Sequence, residues 1–423
     1  MPDEARTITG DGAPWHRVIQ RFARPRLHDL AGAVHTQLQR PDIAAGLDSL
    51  GTVAVAVGSR GIAHLADIVT ALVAGLRSRG LEVFVVPAMG SHGGGTAAGQ
   101  QGVLAHLGIT ERTVGAPIRS GMEVAEIGSV ASPHGHDVPV FMDAMAWSGA
   151  DAVIPVNRIK PHTGFRGPVE SGLCKMLAIG LGNHTGARRL HGEGYGVFDR
   201  LILDAGRAII ATGHVAFGMA IVENAYGEVS VIEAVPADRI VESEQHLLEE
   251  ARRLMPRLLM PEVDVLVVEE FGKDISGVGM DANVTGRGET GGALPQFDGP
   301  SIGRIVVLGL TEATGGNAHG IGLADLITQR AFDQIDRTAT WVNSLTAGSL
   351  ACGHIPIALP TEDQAISAAT HALAGVAPEA ARIVRIKNTL HLTEIAVSDT
   401  LLEICRATAG CEPAGPWDGT WER

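Results

Sequence analysis

Residues 52–96, TVAVAVGSRGIAHLADIVTALVAGLRSRGLEVFVVPAMGSHGGGT, decide the fold class. The run Thr52–Val57 is short, apolar and valine-rich, as a strand buried on both faces should be, and it stops at Gly58, Ser59 and Arg60. Apolar residues then recur at Ile62, Leu65, Ala66, Val69, Leu72, Val73 and Leu76, a helical stripe that ends at Gly80. Residues 81–89, LEVFVVPAM, form a second strand that runs into Gly90, Ser91, His92, Gly93, Gly94, Gly95 and Thr96. Strand, helix and strand in this order predict a right-handed βαβ unit with a parallel pair of strands.

The same pattern extends outward. Strands are expected at 152–156, 215–222 and 229–234, the last two as a hairpin around Asn224 and Gly227. A charged helix over 238–254 lies between Pro236 on one side and Pro256 and Pro261 on the other, and the domain boundary is placed there. Beyond it, strand-like runs at 263–269, 305–310, 355–359, 383–386 and 392–397 accompany helical patterns at 323–335 and 364–373. Residues 1–50 contribute little beyond a helix near their end. The expected class is α/β: two α/β domains, 1–260 and 261–423, with mainly parallel or mixed sheets and an active-site cleft between them.

Composition narrows the function. The 54 glycines, about 13% of 423 residues against a usual ~7%, cluster after apolar runs without a fixed period, so they are turns and close-approach loops, not low-complexity sequence. A formal charge of −14 with scattered basic residues argues against nucleic acid and anionic membranes and leaves a small anionic molecule or another subunit as partner. Four irregularly spaced cysteines form neither a disulfide framework nor a zinc knuckle, which fits a reducing cytoplasm. There is no apolar signal segment at the start and no run of ~18 unbroken apolar residues.

The candidate chemistry sits after strands. Arg60, His92 and His162 each follow one, beside glycine or proline, and parallel neighbouring strands would bring them to one sheet edge. One cation for an anionic substrate and two imidazoles for proton transfer then converge. The glycine run at Gly93 and Gly94, opening onto a helix near Thr96, can present backbone N–H groups to a phosphate or carboxylate, although it is neither a P-loop nor a dinucleotide fingerprint. The densest segment is 157–191, NRIKPHTGFRGPVESGLCKMLAIGLGNHTGARRLH, in which Lys175 is a reactive amine or a partner of Glu170. His184 and His191 stand two helical turns apart, and Cys174 reads as a small buried residue.

GSHGGGT after a strand, PHTGF, the lysine of SGLCKMLAIGLG and a histidine sixteen positions later together resemble the lactate racemase family of nickel-pincer enzymes, over most of the chain. The resemblance implies a racemase or epimerase that inverts C2 of a 2-hydroxy acid by hydride transfer to a nickel-pincer nucleotide, a pyridinium mononucleotide with sulfur arms. It implies Lys175 as the covalent tether, His191 as the nickel ligand, His92 and His162 as the acid/base pair, Gly93 and Gly94 as cofactor contacts and Arg60 as the substrate anchor. It further implies that the GKDISGVGMDANVTGR loop contributes Lys273, Asp281, Asn283 and Arg287 to substrate binding. The chain departs from the family pattern at 283–287, where Asn-Val-Thr-Gly-Arg stands, and between His162 and Lys175, where it is longer; a larger, more polar acid than lactate is expected. From the residues alone two alternatives stay open: an acid/base enzyme on this scaffold without the nickel cofactor, and a non-catalytic binder of an anionic small molecule.

Overall fold

The computed structural model describes residues 15–58, 61–288 and 300–422. Fifteen strands occur among them: β1 (His16–Gln20), β2 (Thr52–Val57), β3 (Glu82–Pro87), β4 (Val124–Ala131), β5 (Asp137–Asp143), β6 (Ala152–Arg158), β7 (Phe217–Glu223), β8 (Val229–Pro236), β9 (Glu262–Val268), β10 (Ser301–Val307), β11 (Leu326–Thr328), β12 (Ile357–Leu359), β13 (Ile383–Ile386), β14 (Glu394–Val397) and β15 (Cys411–Pro416). With helices on their faces these make a mixed α/β fold of two compact units, one formed by residues 24–255 and the other by residues 15–23 with 256–422.

In the unit 24–255 the sheet order is β3-β2-β6-β7-β8, parallel except for the β7–β8 hairpin. β2 is buried on both faces, and its alternation explains why. Ala54 and Ala56 face a core with Phe84 and Val153, while Val53, Val55 and Val57 face the helix Leu65–Arg77 through Ile68, Val69 and Leu72. Period two in the strand and period 3.6 in the helix thus meet on one surface, each fully buried Leu, Ile or Val adding roughly 1.5–3 kcal/mol. The antiparallel hairpin β4–β5 stands outside this sheet and packs on the helices Asn183–His191 and Phe198–Ala211.

The other unit holds an eight-stranded sheet, β12-β11-β10-β9-β13-β14-β1-β15, parallel from β12 to β13 and antiparallel thereafter. Here the chain corrects the expected boundaries. A first domain of 1–260 is expected, but β1 pairs with β14 and β15, and the units divide at Met255 and Pro256. Val18 is fully buried in the second core, and the Gln20 amide donates to the Leu392 carbonyl at 2.7 Å and accepts the Leu259 N–H at 2.8 Å. Five residues are too few for their polarity to reveal a pairing made nearly 400 positions away. The helix expected at 323–335 is instead β11 followed by the helix Gln329–Asp333, because the Thr328 hydroxyl accepts the Ala331 N–H and starts the helix there. Among the described residues no helix is long and apolar enough to cross a membrane.

Candidate active site

Because β3, β2 and β6 are parallel neighbours, their carboxyl ends open at one edge, and the segment 172–180 is laid across it. Asn157 at the end of β6 donates its side-chain N–H to the Gly172 carbonyl at 2.8 Å, and the Gly90 N–H beyond β3 donates to the Gly180 carbonyl at 3.1 Å. Both ends of the segment are thereby pinned. Gly58 lets it approach β2, since a Cβ there would stand 3.0 Å from Met176 Cε. The segment is a short helical turn, Leu173–Lys175, that widens into a π-turn over Met176–Gly180, a departure from α geometry found mostly at functional sites.

Lys175 is half-buried on this turn, and the helix Asn183–His191 brings His191 near it. His191 Nδ1 donates to the Ala187 carbonyl at 2.6 Å, which in the neutral ring leaves the lone pair on Nε2. Burial holds this imidazole below the ordinary histidine pKa, against the Ala187 hydrogen bond and with help from the nearby Lys175 charge. A neutral imidazole with a fixed tautomer is the form that ligates a metal. Among the described residues no three His, Cys, Asp or Glu side chains are grouped so as to hold a metal ion by themselves.

His162 joins His191 through rings. It lies 4.4 Å from Phe165, Phe165 lies 5.4 Å from Phe198, and Phe198 lies 4.7 Å from His191, all between centroids. Tyr195 touches the same cluster, 5.5 Å from Phe198 and 6.4 Å from His162. His162 is set differently from His191: its Nδ1 accepts the Gly164 N–H at 2.9 Å, so the neutral ring carries its hydrogen on Nε2. In this state Nε2 is the donor atom of the ring. For the ring to accept a second proton, the Gly164 N–H must release Nδ1 first.

The loop after β3 packs on the same helix. Gly90 rests against Ile179 and Ala187, and a Cβ on Gly95 would meet the His184 ring at 3.3 Å. His184 therefore lines the glycine loop, and His92 is exposed at its start. Gly93 has φ +64, and a Cβ there would fall 2.5 Å from the Gln100 backbone nitrogen, so this turn accepts only glycine. Thr96 caps the following helix Ala97–His106 by accepting the Gly99 N–H. The Gln100 amide, fully buried, holds the Gly90 carbonyl at 2.9 Å.

Two buried carboxyls support the segment from below. Glu170 accepts the His162 N–H at 2.6 Å and pairs with Arg166 and Arg252, which makes it the anchor of the His162 loop. Glu244, from the helix Ile240–Leu254, accepts the Cys174 N–H at 2.8 Å, and burial pushes its pKa up to about 7. Cys174 is buried as expected, and burial followed by the Glu244 charge raises its thiol well above the usual range. It is no nucleophile.

Arg60 lies outside the described residues. The four expected substrate contacts of the other unit are engaged locally. Lys273 Nζ donates to Asn343 Oδ1 at 2.6 Å, and Asp281 caps the turn Ala282–Thr285 by accepting both N–H groups of Asn283. Arg287 pairs with Asp325 at 2.7 Å and donates to the carbonyls of Leu323, Ile302 and Gly303. Sequence reasoning passed over Phe165, Tyr195 and Phe198. With only 2 Tyr and 9 Phe in the chain, three aromatics within 34 positions of one another were the available signal.

No family model and no curated protein matches the chain. Among solved structures, a protein from Thermotoga maritima aligns at 14% identity over 66% of this chain and 69% of its own, with a TM-score of 0.47. The lactate racemase apoprotein from Thermoanaerobacterium thermosaccharolyticum aligns at 13% identity over 88% of this chain and 94% of its own, with a TM-score of 0.51. At that identity the likeness speaks for architecture alone: the chain has a lactate racemase-like α/β fold.

Proposed function

We propose that this protein is a racemase or epimerase of 2-hydroxy acids that uses a nickel-pincer nucleotide tethered at Lys175. The observation that carries the proposal is the pairing of a half-buried lysine with a neutral histidine whose Nε2 lone pair is unblocked, on the two segments folded across the ends of parallel strands. The residues fit the group. Lys175 would hold it covalently, His191 Nε2 would ligate its nickel, and the remaining donors would come from the cofactor's sulfur arms, a soft set suited to Ni(II). Gly93 and Gly94 would lie along its phosphate. When bound, the group supplies a reversible acceptor for the hydrogen on the substrate α-carbon.

The chain's own residues handle the hydroxyl proton. His92 is exposed on the glycine loop and His162 is buried against Phe165; a substrate bound between them would meet an imidazole for each enantiomer. His162 in its present tautomer donates to the substrate oxygen, and it becomes a base only when Gly164 withdraws. Arg60 would anchor the carboxylate, and Lys273, Asp281, Asn283 and Arg287 would contact the substrate only after giving up their local hydrogen bonds.

Intact-mass measurement and nickel analysis of protein co-produced with the cofactor-making enzymes test this. An adduct that disappears in Lys175→Ala, together with inversion of at least one acid in a chirality-resolved panel, is the expected result. No adduct and no nickel would overturn the proposal; anion binding that survives in Lys175→Ala without inversion would favour a simple binder.

A further inference from the structure

We propose that Asn183 is a positioning residue: through its side-chain hydrogen bond to Asp143 it aims the helix carrying His191 back toward Lys175. The inference rests on the role proposed for His191. An unbroken helix from Lys175 to His191 would set the two ~24 Å apart along its axis, too far for one small group to reach both. The chain turns instead. The Leu181 N–H closes the π-turn on the Met176 carbonyl at 2.9 Å, and the Gly186 N–H opens the next helix on the Gly182 carbonyl at 2.7 Å. Between them Asn183 takes φ +49, in the left-handed region that ends one helical run and redirects the chain. The two runs then pass close to one another. A Cβ on Gly90 would stand 3.2 Å from both the Ile179 carbonyl oxygen and the Ala187 Cβ, residues that a straight helix would hold ~12 Å apart along its axis.

A turn of this kind ordinarily takes glycine, and the chain has 54 of them. Among the described residues only His64 and Asn183 combine a positive φ with a side chain, and His64 is exposed whereas Asn183 is fully buried. The asparagine side chain therefore serves a purpose that glycine cannot. Asn183 Nδ2 donates to Asp143 Oδ2 at 2.7 Å and to the Gly121 carbonyl at 3.2 Å. Asp143, buried at the end of β5, is itself held, since its Oδ1 accepts the Ala146 N–H at 2.9 Å. About one turn along the helix, Gly186 packs on Phe141 of the same strand, where a Cβ would meet Phe141 Cβ at 3.5 Å. The helix is thus fixed to β5 at two successive turns, by a hydrogen bond and by packing, and at its far end His191 meets the Phe198 ring at 4.7 Å between centroids. With glycine at 183 the turn survives but the tie is lost, and a permissive residue then sets the direction of the helix.

NMR of the histidine-labelled full-length chain tests the proposal, with the His191 ring lines assigned by their loss in His191→Ala. Packed against Phe198, these ring protons are displaced by its ring current from the position of a solvated histidine. Asn183→Gly keeps a conformation that glycine adopts freely, so the chain folds, and the His191 lines should move toward the solvated position. Asp143→Ala, which removes the acceptor from a different element, should move them the same way. A change in stability alone would leave the lines of the folded chain where they are. In protein co-produced with the cofactor-making enzymes, Asn183→Gly should also lower nickel per chain by roughly 10–100-fold, as loss of an outer-shell partner does. His191 lines that stay at the wild-type position in either folded variant overturn the proposal. A wild-type chain that takes up no nickel overturns the proposed function instead, and the NMR comparison, which needs no metal, still decides the positioning.

Discussion

The loops beyond the parallel strands of the two units hold similar residue types but tie them differently. Beyond β9, β10 and β13, polar side chains hold one another: Asn388 donates to Glu270, Thr311 to Asp274, Lys273 to Asn343, and Arg287 to Asp325. Beyond β2, β3 and β6, backbone groups of Gly90, Gly172 and Gly180 do much of the holding, together with the Asn157 and Gln100 amides. Glycine backbone and buried carboxyls therefore build the framework in one unit, whereas in the other exchanged polar side chains build it. A site needs groups held in place by a rigid support, and backbone holding supplies one.

Four experiments press on this contrast, from the largest expected effect down. Replacing the two histidines of one helix separates ligand from loop lining. His191→Ala should reduce nickel per chain by more than the roughly 10–100-fold that loss of an outer-shell partner costs, and His184→Ala should leave it nearly unchanged; equal losses would make His184 a co-ligand. Next, Glu170→Ala leaves Arg166 and Arg252 without their buried counter-charge and the His162 N–H without its acceptor. Urea unfolding should show about 3–5 kcal/mol of destabilisation, the cost of breaking a buried ion pair.

The third concerns pH. Glu244 titrates near 7 when folded, above its ordinary value of 4.5, because burial disfavours the carboxylate. The folded chain thus binds the extra proton between these values, and stability falls as pH rises through that window, by about 3 kcal/mol from this group at 1.36 kcal/mol per unit. Glu244→Gln should flatten the slope over that range; an unchanged slope would mean the carboxyl is ionised throughout. The smallest effect is expected from Arg287→Met, whose partly exposed pair with Asp325 contributes about 1 kcal/mol, and inversion of substrate should change little unless the side chain leaves Asp325 to bind it.

The active-site segment was legible where chemistry is local. The strand end at Gly58, the helix starting at Thr96 and the burial of Cys174 follow from short-range pattern, whereas the joint roles of Lys175 and His191 came from the family resemblance. The tautomers of His162 and His191 were not legible, because each depends on which backbone group meets Nδ1, Gly164 N–H in one case and the Ala187 carbonyl in the other. Nor were the supports. Glu244 reaches Cys174 across 70 positions and Arg252 reaches Glu170 across 82, and nothing in either neighbourhood marks them as partners.

By itself, the sequence determined the α/β class, the βαβ beginning and the glycine-rich turns that follow the strands, because hydrophobic period and turn chemistry act within a few residues. Only the tertiary structure decided that residues 15–23 belong with 256–422, that Arg287 is spent on Asp325, and that Glu244 supports Cys174. Strand pairing, charge pairs and buried carboxyl contacts are set by which surfaces exclude water together, and that is a property of the packed chain rather than of any stretch within it.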